Sequence, residues 1–276
     1  MKTRECKSAA INTGSSMCPI DWGKIRGAIL VEPGNVLDEL TKDKLEELCH
    51  ADRPGRIYPI VGFVEYAKNG GEAQTSAVGY GPSEYNGLSQ QTDTFTLSKF
   101  DETLNANLLK GANKKWDVYF FDDKHLYGYN NGTALAGIPM SCVYPTATQF
   151  STSSNKSSLT VSFSYEDIED ALLHLDFTDI EYTVFKGLKG LTGVKLVKLD
   201  SGDNDYKLVE AIGGYDVTAL FGDTLSTAAA TAMTGVTAVK HDKAKNVLTM
   251  TPSTGSIGLA APSKLYTSKI KWIEAV

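Results

Sequence analysis

Residues 158–175 read SLTVSFSYEDIEDALLHL, and the fold class follows from the change of period inside that stretch. Along Ser158–Tyr165, apolar and small polar residues alternate. Leu159, Val161, Phe163 and Tyr165 share one face, and Ser and Thr share the other. Successive strand side chains point to opposite faces, so this is a half-buried antiparallel strand. From Glu166 to Leu175 the period lengthens: Ile168, Ala171, Leu172 and Leu175 follow the i, i+3, i+4, i+7 spacing of one helix face. Ser164 with Asp167 opens that helix in the manner of a capping box. A strand therefore runs almost directly into an amphipathic helix.

Working outward, strand patterns dominate. Lys24–Glu32 (KIRGAILVE) ends at the turn pair Pro33-Gly34. Arg56–Tyr66 (RIYPIVGFVEY) is β-branched and aromatic, but Pro59 removes a ladder donor and makes it an edge strand or a bulged one. Thr92–Leu97 alternates with period two, and Trp116–Phe121 and Leu126–Tyr129 flank a hairpin-like turn. Helices are expected at Thr41–Ala51, from Ser98, which with Asp101 three residues on makes a cap-box-like start, with Leu104 and Leu108 on one side, and at Glu166–Leu175. Residues 1–17 are small and polar and read as an N-terminal arm. Residues 67–91 form a long Gly-rich polar excursion carrying Tyr80 and Tyr85. So long a loop is either a surface hairpin or an assembly loop ordered against a neighbour, for which tyrosines are good anchors.

After Gly187-Leu188-Lys189-Gly190 the texture changes. Residues 190–276 read as short strands at Val194–Leu199, Tyr206–Ile212, Val236–Lys240, Val247–Thr251 and Leu265–Ile273, separated by turns. That spacing suggests a small immunoglobulin-like β-sandwich. Thr224–Gly235 is rich in small residues and is either a loop or a short helix. The expected organisation is an arm at 1–17, a β domain at 18–188 and the small sandwich at 190–276.

Composition narrows the function. The chain has 276 residues, 42% hydrophobic and 22% charged, which is globular. Its net charge of -6 argues against a protein that coats nucleic acid. Of 27 basic and 33 acidic residues, 9 Lys and 8 acids lie in 190–276, which leaves 18 and 25, net -7, in 1–189. All four arginines (Arg4, Arg26, Arg53, Arg56) lie in the first part. No run approaches the roughly 20 apolar residues of a membrane span, and Met1–Cys6 lacks a secretion signal's apolar run. Cys6, Cys18, Cys49 and Cys142 form no C-x-x-C pair. The expectation is synthesis and folding in a reducing cytoplasm.

No catalytic constellation stands out. Cys49 and His50 are adjacent, but neighbours on a helix diverge by about 100°, which disfavours a nucleophile pair. Asp200, Asp203 and Asp205 cluster in a turn without the spacing of a calcium loop. Gly187, Gly190 and Gly193 repeat every third residue, match no nucleotide fingerprint and suit a flexible link. Asp122-Asp123 and Glu46-Glu47 sit in a turn and on a helix face, where nothing marks them as a glycosidase pair. The expectation is no enzyme activity, no cofactor and no metal.

Four stretches carry a family resemblance: Cys18–Gly34, Cys49–Tyr66 (CHADRPGRIYPIVGFVEY), Lys114–Gly132 (KKWDVYFFDDKHLYGYNNG) with Gly137-Ile138-Pro139, and Ser158–Asp179. The chain resembles structural virion proteins of tailed bacteriophages, those of phages infecting Bacteroides-type gut bacteria, over about residues 18–188. The second part is more loosely similar to immunoglobulin-like modules appended to some tail proteins. The resemblance implies a tail-tube subunit: a β-barrel or sandwich with flanking helices, stacked as hexameric rings that conduct DNA transiently and without specificity. It implies other copies of itself and other virion proteins as partners, no membrane, and a place in the phage tail. Trp22, Arg26, Arg53, Arg56, Tyr80 and Tyr85 are the expected interface residues. A connector, capsid decoration or fibre-base protein is the alternative within structural proteins. A carbohydrate-binding module using Tyr215, Tyr266 and Trp272 is the alternative outside them.

Overall fold

Alternating stretches become a curled sheet when both of their faces find cover. The structure, a computed structural model, describes residues 22–200, 202 and 204–276. The expected arm at 1–17, Arg4, Cys6, Cys18 and Asp203 lie outside the described residues. In chain order the first unit comprises β1 (Gly27–Val31), α1 (Lys42–Cys49), β2 (Ile57–Val61), β3 (Phe63–Asn69), β4 (Ala73–Ser76), β5 (Glu84–Leu88), β6 (Thr92–Leu97), α2 (Glu102–Gly111), β7 (Trp116–Phe121), β8 (His125–Asn130), β9 (Leu135–Ala136), β10 (Ile138–Gln149), β11 (Ser158–Tyr165), α3 (Ile168–Leu173) and β12 (Leu175–Asp179). A 3-10 turn follows at Tyr182–Phe185. The second unit holds β13 (Thr192–Lys198), β14 (Asp205–Glu210), α4 (Thr218–Thr227), α5 (Ala229–Ala232), β15 (Met233–Thr234), β16 (Val236–Asp242), β17 (Val247–Pro252), β18 (Gly258–Leu259), α6 (Pro262–Thr267) and β19 (Ile273–Ala275). The protein is mainly β, as the alternating stretches imply.

The first sheet has ten strands, with the path β12-β8-β7-β10-β11-β6-β3. A strand has two edges, and β7 uses both. One pairs β1 from Asp117 to Phe121; the other is divided between β10 at Trp116–Val118 and β8 at Phe120–Phe121. Residues alternate between two cores. Ala28, Leu30, Val118 and Phe120 enter the core inside the curled sheet, with Phe63, Phe95, Val161 and Phe163. Ile29, Val31, Tyr119 and Phe121 enter a second core, closed by Leu45 and Cys49 of α1 and by Phe185. All five residues of β1 are therefore buried, the pattern of a strand covered on both faces. Phe63 and Phe95 stack at 4.7 Å, and Phe163 meets Phe95 and Phe120 edge-on, the geometry the ring quadrupole favours.

Several sequence expectations need adjustment. The run Arg56–Tyr66 is two strands, because Gly62 adopts φ +104 and breaks it. Pro59 sits in β2, which pairs β1 alone and so is an edge, as its missing donor requires. The polar face of β11 is not open to solvent: Ser162 and Ser164 are buried. Hydroxyl pairs bridge the strands there, Thr92 with Ser164 at 2.9 Å, Thr96 with Thr160 at 3.2 Å, and Thr146 with Ser162. The second helix is capped by Asp101, not Ser98, and Asp167 itself caps α3 through the N–H groups of Glu169 and Asp170. That helix ends at Leu173; Leu175 begins β12, and Leu172 and Leu173 are exposed. The excursion at 67–91 is an extension of β3 and a separate β4–β5 hairpin.

An immunoglobulin-like module packs two sheets face to face. Here the second unit has a five-stranded sheet, β16-β17-β14-β13-β19, facing helices and the short β15–β18 pair. Leu225, Ala229, Ala232 and Leu265 from α4, α5 and α6 join Val194, Leu208, Val239, Leu248 and Met250 in one core. The small residues of 224–235 thus end α4 and make α5. The expected strand Leu265–Ile273 is instead the end of α6, started by Pro262 in its first turn, and an irregular stretch at 268–272; only Ile273–Ala275 is strand, parallel to β13. The link at 187–193 is packed: Leu188 and Leu191 are buried.

Candidate assembly surfaces and the joint between the units

β3 lies at the end of the strand path and, among the described residues, pairs only β6. From Val64 to Asn69 every residue is exposed. Val64 is 63% and Tyr66 52% exposed, so this edge, without a further strand among the described residues, carries apolar side chains. Natural sheets usually blunt such an edge, because it templates pairing with another chain. β3 leads into the β4–β5 hairpin, whose tip presents Val78 at 94% exposure and a fully exposed Tyr80. Tyr85, next to the tip on β5, donates its hydroxyl hydrogen to Glu169 of α3 and so ties the hairpin to the helix. A two-stranded hairpin is marginal by itself, and this contact supplies the missing support.

The six interface residues expected from sequence fall in separate places. Trp22 stacks on Tyr127 at 4.6 Å and 16°. Arg26 forks onto the Asp123 carboxylate, Nε at 3.2 Å and Nη2 at 3.1 Å, on the surface. Arg53 is exposed and stands 5.9 Å above the Tyr58 ring. Tyr80 and Tyr85 belong to the hairpin. Arg56 is buried, bonds Glu274 at 2.6 Å and donates Nε to the Ala51 carbonyl at 2.8 Å. It serves a contact within this chain.

That contact is part of a joint sequence reasoning did not identify. His50, the residue that caps α1, is buried. Its ring is stacked on Tyr266 at 4.6 Å and tilted against Trp272 at 4.6 Å. The Trp272 backbone N–H donates to Nε2 at 2.9 Å, and Nδ1 lies 2.7 Å from the Glu46 carbonyl. An amide N–H can only donate and a carbonyl can only accept. The ring is therefore neutral with its proton on Nδ1. Burial holds its pKa below the usual histidine value, against the hydrogen bond to Glu46. Around it, Lys271 pairs with Glu46, Ser263 donates to Asp52 at 2.7 Å, and Lys189 sits 5.6 Å over the Trp272 ring. Tyr266 and Trp272, two of the three aromatics considered as a carbohydrate platform, are occupied here; Tyr215 is exposed.

The other sequence candidates resolve as follows. The Cys49 thiol is buried and pushed up to about 12 by desolvation, so it is not poised as a nucleophile. Asp122 is buried and accepts hydrogen bonds from Tyr127 Oη at 2.6 Å, from the N–H groups of Lys124 and His125, and from Gly23. It pins the β7–β8 turn. A second buried carboxylate, Asp93, was missed from sequence: it sits on the core side of β6, held by Tyr165 Oη at 2.7 Å, Tyr66 Oη at 3.1 Å and Gln91 Nε2 at 2.9 Å. Desolvation first, then Asp93, raises the Tyr66 phenol to about 12. Asp205 accepts from Thr249. Among the described residues no group of three or more His, Cys, Asp or Glu side chains could hold a metal, and no helix is long and apolar enough to cross a membrane. Two open clefts, of about 530 Å³ beside Tyr129 and His174 and about 620 Å³ beside His125 and Asp179, are small surface features.

No protein family and no curated protein matches the chain. Two solved structures share a loose likeness. One is the anti-feeding prophage cap (AFP tube terminating cap), at 9% identity and TM-score 0.30, covering 62% of this chain and 100% of that one. The other is the PVC sheath–tube complex of an extracellular contractile injection system in its extended state, at 10% identity and TM-score 0.26, covering 44% of this chain and 82% of that one. Superpositions this loose leave function to be argued from the chain's own residues.

Proposed function

We propose that the protein is a non-enzymatic structural subunit of a phage-type tail, of the tube kind, that binds copies of itself into stacked hexameric rings enclosing a passage for DNA. The observation that carries this reading is the exposed, apolar edge of β3 continuing into a projecting hairpin tipped by Val78 and Tyr80. An edge strand and an aromatic projection are two distinct contact devices on one subunit. Contacts made between different patches close into a ring or run on as a filament, and a tube needs both. The net -7 of residues 1–189 suits a wall that repels DNA rather than holds it. Sequence resemblance to tailed-phage virion proteins supports the same class.

Negative-stain microscopy of the purified protein at high concentration, with sedimentation velocity, tests the proposal. Six-fold rings or tubes are expected. A persistent monomer at high concentration overturns it, and three-fold or twelve-fold particles replace the tube with a decoration or connector role.

A further inference from the structure

We propose that the joint between the two units is a proton-operated latch: protonation of His50 in mildly acidic solution ejects the Trp272 backbone and lets the second unit part from α1 while both sheets stay folded. This goes beyond the assembly reading and does not depend on it.

Both ring nitrogens of His50 are engaged by the backbone, one as donor and one as acceptor. An imidazolium carries hydrogen on both nitrogens and has no lone pair for the Trp272 N–H. Adding a proton turns that bond into two opposed donors between stacked rings. The ring is buried, so no water compensates within the closed joint. The ring bridges two units. Glu46 comes from the first unit, and Tyr266, Trp272 and Lys271 from the second.

The charged groups around the ring pull in both directions, and burial decides the outcome. Arg56, ahead of β2, and Lys271, ahead of β19, oppose a positive ring; Glu46 of α1 favours it, and burial outweighs Glu46. Asp43 and Asp52 on the first unit, Glu274 on β19 and Lys189 in the link complete the ionic surroundings, with Glu274 bound to Arg56 and Asp52 to Ser263. In the open form the ring meets water and titrates near its ordinary 6.5; in the closed form it titrates lower. Closure is therefore fully stabilised above about pH 6.5 and weakens as pH falls from there toward the closed-form value, with the opening constant rising by up to about tenfold per pH unit.

Hydrogen exchange of the full chain at pH 7.5 and 5.0, corrected for intrinsic exchange, reads the latch through the Trp272 amide. Its protection is expected to fall between pH 7.5 and 5.0, by at most the tenfold per pH unit below about 6.5 that a single proton allows. The Tyr165 amide, bonded to Gln91, and the Leu208 amide, bonded to Thr218, report the two sheets and are expected to hold. In His50→Gln, whose side-chain carbonyl accepts without titrating, the Trp272 amide is expected to be insensitive to pH. A flat profile in the unaltered protein, an equal fall in His50→Gln, or a parallel fall at Tyr165 and Leu208 overturns the proposal. Should His50→Gln fail to fold, nitrogen-15 spectra of the native ring decide: a proton on Nδ1 and titration below 6.5 support the latch, whereas a proton on Nε2 or titration at or above 6.5 overturns it.

Discussion

β1 and β7 of the first unit bury both faces, whereas the strands of the second unit bury one. Ala28 and Leu30 face one core and Ile29 and Val31 the other. In β13, by contrast, Val194 is buried and the next residue, Lys195, is exposed. The first sheet is curled around its own aromatic cluster, so each strand depends on strands far away in sequence. The second sheet leans on three short helices and leaves Lys195, Lys240, Thr249 and Thr251 toward water. One chain thus holds a deeply interlocked unit and a lighter one, with the contacts around His50 among those that join them.

The sharpest way to break the comparison is Phe163→Ala. It removes the ring that meets Phe63, Phe95 and Phe120 and is expected to cost about 3–5 kcal/mol. Denaturant unfolding followed by tryptophan fluorescence and far-ultraviolet dichroism reads it; a loss confined to the first transition sharpens the two-unit picture, and an equal loss in both merges the units. Next is Arg56→Met, which strands Glu274 without its partner. Because Glu274 is partly exposed, the cost is near the lower end for a broken buried pair, about 3 kcal/mol, seen as separation of two thermal transitions in calorimetry.

Asp122→Asn tests the first unit's turn and is expected to cost about 1–3 kcal/mol at neutral pH. Burial raises the Asp122 carboxyl, but bonds from Tyr127, Lys124 and His125 outweigh it and hold its pKa below the ordinary carboxylate value of 3.8. A lowered folded value means that this contribution is complete above 3.8 and disappears as pH falls below it. The gap between wild type and Asp122→Asn should accordingly narrow in denaturant melts at pH 3 relative to pH 7. The smallest stability effect is expected from Val78→Ser with Tyr80→Ser, within about 0.5 kcal/mol. The same pair should abolish higher-order particles in sedimentation velocity, and unchanged assembly would count against the hairpin's role.

Sequence pattern exposed the first unit well where period and burial coincide. Thr92–Leu97, Trp116–Phe121 and Ser158–Tyr165 are strands at the expected bounds, because their apolar positions all face a core. It misled where a tertiary partner overrode the local signal. Leu172 fits the helical stripe of α3 yet is exposed, since the helix stops after Leu173 and β12 takes Leu175 into the sheet. Leu265–Ile273 looks strand-like by composition, but Pro262 starts a helix and Lys269 and Trp272 adopt positive φ. Of the surfaces, Tyr80 and Tyr85 were legible from their loop. The His50 joint was not, because its parts lie more than 200 residues apart, as the Trp272–His50 separation of 222 shows, and no local pattern encodes such a meeting.

The pairing of Gly27 with Phe121 sets a timetable. A strand of five apolar residues leaves the ribosome roughly 90 residues before its central partner, a delay of about 5–20 s at ordinary synthesis rates. During that interval GAILV has only β2 to hide against. Newborn chains in a crowded cell are then most prone to clump, and a helper that shelters this segment would raise yield more than any gain in finished stability.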